Sequence, residues 1–79
     1  MRIKFSRHAK RRRELYKIPE EIVRKVIKGK ELIQGRQEII EYVPKLKYPL
    51  KIVVSVKGDE VTVITNYPLK RGRKDEGLL

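Results

Sequence analysis

From Leu32 onward the apolar positions of the chain recur every second residue; before it they recur at helical spacing. The first exception is Ile3-Lys4-Phe5, a short alternating segment that predicts an edge strand. Ser6 then offers a hydroxyl to an unpaired backbone N–H, as helix N-caps do, and a helix is expected from about Arg7 to Tyr16. Its apolar face is poor, with Ala9, Leu15 and Tyr16 as the only candidates for the core. A second helix opens at Ile18-Pro19-Glu20-Glu21, where Pro suits the first turn and the carboxylates suit the positive end of the helix dipole. Ile22, Val23, Val26 and Ile27 form one apolar stripe, and Gly29 is the expected C-cap.

Three strands follow in the period-two region. Glu38 to Val43 reads as one, stopped by Pro44. Leu50 to Val56 and Val61 to Tyr67 read as a hairpin around Gly58-Asp59. That turn pairs Lys57 with Glu60, Val56 with Val61, Val54 with Val63 and Ile52 with Thr65. Thr65 and Tyr67 then fall on the face the helices cover, while Lys51 and Asn66 fall on the open face. The expected architecture is α+β: two N-terminal helices on one face of a three- to four-stranded antiparallel sheet, with a short N-terminal edge strand. Residues 1–70 make a single domain, and 71–79 read as a disordered basic tail.

Charge changes this picture. The 79 residues hold 21 Lys and Arg against 10 Asp and Glu, a net charge of +11. Solubility asks only for a net charge of about 2–8 in a small domain, and the excess opposes compaction unless a polyanion neutralises it. The excess is also uneven: residues 1–17 hold eight basic residues and one acidic. Cysteine is absent, which excludes disulfides and thiolate chemistry. No apolar run approaches the ~20 residues of a membrane span, and the N-terminus lacks a secretory apolar core, so a cytoplasmic protein is expected. High Lys, Glu and Ile usage with little Asn or Gln also fits the composition of thermophilic proteins.

The densest basic segment, Arg7 to Arg13, contains the sole histidine, His8. On a helix His8 shares a face with Arg11 and Arg12, which would let it serve as acid or base while arginines hold a phosphate. The competing reading is a histidine hydrogen-bonded to the sheet near the helix start. Arg11, Arg12 and Arg13 lie about 100° apart in succession, so at least one must turn towards the protein. The others would contact phosphate, or else cover apolar surface with their stems. Tyr48, in a loop among Arg36, Lys45, Lys47 and Lys70, is a candidate for stacking on unpaired bases. Gly-rich phosphate loops, nucleophile elbows and metal-ligand clusters are absent from the sequence, so neither metal nor cofactor is expected.

Phe5-Ser6-x-His8-Ala9-x-x-Arg12, followed by Ile18-Pro19-Glu20-Glu21-x-Val23 and a helix ending at Gly29, resembles a family of small bacterial and archaeal proteins of unassigned function. Its members open on a His-Ala-x-x-Arg helix and close on an antiparallel sheet, matched here by Ile52-Val53-Val54 and Val61 to Thr65. The match covers most of residues 3–67, and Pro19 stands where the family usually has Ser or Thr. That family is similar in turn to the RelE/BrnT-type toxins, small basic ribonucleases. The resemblance implies a helix pair on a curved sheet, RNA on the open sheet face, cleavage without metal, and an acidic antitoxin partner. His8 and Arg12 carry over; Tyr67, Lys70 and Arg71 are candidates for the group's variable C-terminal positions.

The expected function is RNA binding, with the RNA free or ribosome-associated, and metal-independent cleavage as one form of it. In that form His8 is the acid or base, and Arg12 and Lys51 bind phosphate and stabilise the transition state. Arg7, Arg11, Arg13, Arg36, Tyr48, Asn66, Lys70 and Arg71 are the expected nucleic-acid contacts. The alternatives are a non-catalytic nucleic-acid-binding module and a subunit whose basic patch meets an acidic protein. A membrane surface ranks last, because the basic first helix lacks a broad apolar face.

Overall fold

The computed structural model describes residues 1–70; the expected basic tail, with Arg71, lies outside the described residues. The elements run β1 (Arg2–Phe5), α1 (Arg7–Leu15), α2 (Glu20–Lys28), β2 (Gly35–Glu41), β3 (Leu50–Lys57) and β4 (Glu60–Pro68). Both helices start where the capping residues place them. Ser6 accepts from the Ala9 amide at 3.0 Å, and Pro19 precedes α2 with Glu20 and Glu21 in its first turn. Gly29 closes α2 at φ −86, so it needs no left-handed conformation.

The sheet order is β1-β4-β3-β2. The meander β2–β3–β4 is antiparallel as its hairpin chemistry requires, with Gly58 at φ +65 in the tight turn. β1 corrects the antiparallel expectation: it pairs with β4 in parallel, Ile3 beside Val61 and Phe5 beside Val63. Alternation in β1 fixes which face Ile3 and Phe5 take, but carries no information on strand direction, and no hairpin ties β1 to its neighbour. The sheet is therefore mixed. β2 also starts earlier than expected. Gly35 turns into the strand at φ +102, and the Gln34 carboxamide brackets Gly58, donating to its carbonyl at 3.0 Å and accepting from its amide at 2.9 Å. Tyr42, expected within the strand, lies beyond it and is exposed.

One irregularity repositions the site residues. Val54 pairs with Val63 but Val53 pairs with Thr65, which leaves Ile64 as an extra residue in β4. The slip inverts every later side chain of that strand. Asn66 now pairs with Ile52 on the core face and is fully buried, while Tyr67 pairs with Lys51 on the outer face. Both placements reverse the expected ones. The core itself lies between the sheet and the helices: Ile3, Ile39, Leu50, Ile52, Val54, Val56, Val61 and Val63 meet Ala9, Ile18, Val23 and Ile27. Burial of the Val, Leu and Ile side chains among these, at roughly 1.5–3 kcal/mol each, is the main favourable term in folding.

Candidate nucleic-acid interface

α1 is held to the sheet by polar pins more than by apolar contact. Ala9 is its single fully buried residue, small enough for close approach. The bulge supplies two of the pins. Ser6 Oγ donates to the Ile64 carbonyl at 3.0 Å, and Asn66 Nδ2 donates to the Ala9 carbonyl at 3.1 Å. The helix ends in a Schellman arrangement, with Ile18 N–H on the Arg13 carbonyl at 2.9 Å and Lys17 N–H on the Glu14 carbonyl at 3.2 Å. Lys17 takes the left-handed conformation at φ 54 that this turn requires. Leu15 and Tyr16, expected in the core, are 66% and 37% exposed instead, because the helix docks through Ala9 and rotates them outward.

Arg13 is the arginine that turns in. Its guanidinium lies 5.2 Å from the centre of the Phe5 ring, its Nη1 reaches the Ile18 carbonyl at 3.5 Å, and its Nη2 is 3.7 Å from Glu20. Arg24 shares the same ring at 5.5 Å and the same carboxylate at 2.7 Å, and donates to the Ile3 carbonyl at 3.2 Å. The hydrogen bond from Arg24, before all other causes, holds the Glu20 carboxyl below its usual value. Arg13 therefore joins β1, α1 and α2, and is the one of the three successive arginines that turns towards the protein. The Glu20–Arg24 spacing of four on one helix was the available signal for this cluster.

Ion pairing distinguishes several cations of the outer sheet face from those of α1. On the outer sheet face Arg2 and Lys4 both approach Glu60, at 3.7 and 3.4 Å, and Lys51 pairs with Glu38 at 3.2 Å. Its hydrogen bond to Glu38 is the first cause that holds Lys51 above the usual lysine pKa, and Tyr67 lies 6.0 Å away. On α1, by contrast, Arg7, Lys10, Arg11 and Arg12 have no ion-pair partner among the described residues, and Arg7, Lys10 and Arg11 are exposed. His8 is exposed beside them, with no side-chain hydrogen bond among the described residues; the bonds to the sheet come from Ser6 and Asn66. His8, Arg11, Arg12, Glu14 and Leu15, all on α1, surround a shallow, open groove on the surface of that helix.

The expected catalytic set is thus divided. His8 and Arg12 share the groove on α1, whereas Lys51 stands on the opposite face of the sheet, bound to Glu38. Asn66 lies beneath α1 and presents no surface, which corrects its expected nucleic-acid contact. Tyr48 and Lys70 do come together, with Lys70 Nζ 5.7 Å from the ring and Lys47 Nζ at the same distance. Arg36 is exposed on β2, outward-facing in register with Ser55. Among the described residues no three acidic, His or Cys side chains are grouped to hold a metal ion, and no helix is long and apolar enough to cross a membrane.

The fold and groove define a small α+β protein with a mixed sheet and an unneutralised cationic helix. Comparison with protein-family models, curated proteins and solved structures gives no match in any of the three.

Proposed function

We propose that the protein binds RNA through the outer face of α1. The observation that carries this reading is that, among the described residues, four cations on one short helix lack an ion pair, whereas on the outer sheet face Glu38 and Glu60 engage Arg2, Lys4 and Lys51 and leave only Arg36 and Lys57. An unpaired cation row is available to phosphates without first breaking an ion pair. The proposed setting is the cytoplasm, and the RelE/BrnT-type resemblance supports RNA as the polyanion. It also supports an acidic antitoxin as a competitor for the same face. The test is fluorescence anisotropy of a short RNA over a salt series. Neutralising Arg7, Lys10 and Arg11 to Gln should reduce the log–log salt slope by about 2, at about 0.7 per phosphate contact on a single strand. An unchanged slope would place the interface elsewhere.

Cleavage is a second reading, favoured by His8 sharing one groove with Arg11 and Arg12. His8 would take the ribose 2′-OH proton as the 2′-oxygen bonds to phosphorus, while the arginines stabilise the phosphorane-like charge. The P–O5′ bond would then break with the 5′-oxygen protonated by water, leaving a 2′,3′-cyclic phosphate. Lys51 has no part in this version, because it lies across the sheet. RNA incubated with the protein in EDTA should be cut, and His8→Ala should abolish cutting while preserving binding. Intact RNA with the wild-type protein removes catalysis and leaves binding.

A further inference from the structure

Two groove residues are explained neither by the fold nor by phosphate binding. Glu14 lies in the last turn of α1, where the helix dipole disfavours a carboxylate. It stands four residues after Lys10, the weaker order for a helical ion pair, and has no ion-pair partner among the described residues. In a groove meant for phosphate alone, Glu14 repels the ligand. Leu15, 66% exposed beside it, offers apolar surface that a phosphate cannot use.

A nucleobase uses both. We infer that the groove of His8, Arg11, Arg12, Glu14 and Leu15 receives an unpaired base carrying an exocyclic amino group. This inference rests on α1 being the RNA interface. The base lies against Leu15, its amino group donates to the Glu14 carboxylate, and Arg11 and Arg12 hold the adjoining phosphates. Carboxylates accept from cytosine N4 in this way, whereas uracil places a carbonyl at the same position and meets a like-sign lone pair. The base must be unpaired. In an A-form duplex the amino groups are engaged in pairing, and the major-groove edges lie too deep for a helix side chain to reach. Glu14 is accordingly a specificity-determining residue, and Arg7 and Lys10 supply affinity without preference.

Cytosine and uracil oligomers make the cleanest probe, because the rings match in size and differ at the position Glu14 reads. Anisotropy with the full chain is measured for 12-residue oligo-C, oligo-U and a duplex of equal length, at one fixed salt concentration. Oligo-C should bind at least about fivefold tighter than oligo-U, the lower end of what one base contact is worth. Glu14→Gln should close that gap, chiefly by raising affinity for oligo-U, since a carboxamide can donate to the uracil carbonyl. Circular dichroism confirms that this exposed substitution leaves the fold intact. Equal affinity for the two oligomers, a gap that survives Glu14→Gln, or a preference for the duplex each overturns the base pocket. Those results leave the α1 interface standing, provided binding remains salt-sensitive and falls on neutralising Arg7, Lys10 and Arg11. Absence of such binding to every probe removes the interface itself.

Discussion

At the scale of single residues, Glu20 shows how a surface carboxylate can join three elements. It receives Arg24 from its own helix at 2.7 Å and approaches Arg13 of α1 at 3.7 Å, with both guanidinia near the Phe5 ring of β1. The carboxyl is held below its ordinary value of 4.5, first by the Arg24 hydrogen bond. A group with a lowered folded-state pKa contributes stability that is complete above the unfolded value and lost as pH falls through the folded one. Thermal unfolding of wild type and Glu20→Gln should therefore differ most above pH 4.5 and converge on acidification below it. A midpoint difference that stays constant down to acid pH would mean that Glu20 acts through packing and not through charge. Because Glu20 is half-exposed, added salt should also narrow the gap.

At the scale of elements, the sequence made some features legible and hid others, and the division has a physical cause. Caps and turns are local: Ser6, Pro19 and Gly58 each state their own geometry, so both helices and the hairpin were readable. Direction and register are not local. Nothing in Ile3-Lys4-Phe5 distinguishes parallel from antiparallel pairing, and no residue near Ile64 announces a bulge, since Val61-Thr62-Val63-Ile64-Thr65 alternates acceptably without one. The cationic helix was legible for the same local reason, but its groove partners were not. Leu15 and Tyr16 are, with Ala9, the apolar residues of this helix and so read as core, whereas Ala9 and two hydrogen bonds do the docking. That bulge-dependent docking is testable through Ser6, which caps α1 and also bonds the Ile64 carbonyl. Losing an N-cap costs about 1 kcal/mol, and in a domain of this size each such unit lowers the unfolding midpoint by about 4–8 °C. Ser6→Ala should reach the upper part of that range, because it removes the second bond as well. Ser6→Thr retains the hydroxyl and should recover most of the loss. If Ser6→Ala unfolds with the wild-type midpoint, α1 is secured by other contacts.

At the scale of the whole molecule, the charge of +11 sets stability against binding. Self-repulsion raises the free energy of any compact state, and the residues that contribute most are those without a counter-charge nearby. Arg7 and Arg11 form no ion pair among the described residues, and Lys10 meets counter-charge only through the field of Glu20, on a helix that buries only Ala9 and gains little from its core. Retaining them makes sense when a polyanion supplies the missing counter-charge, since a ligand that binds only the folded state stabilises it in proportion to its saturation. The same three substitutions to Gln should thus have opposite effects in two measurements. Without RNA at low salt, the triple variant should unfold at a higher temperature than wild type. That advantage should shrink as ionic strength rises towards 1 M, where the screening length falls to about 3 Å. With saturating RNA the order should reverse, because wild type gains the ligand's stabilisation and the variant does not. A variant less stable than wild type at low salt without RNA would show that these cations support the fold itself. Their unpaired state would then no longer point to a partner.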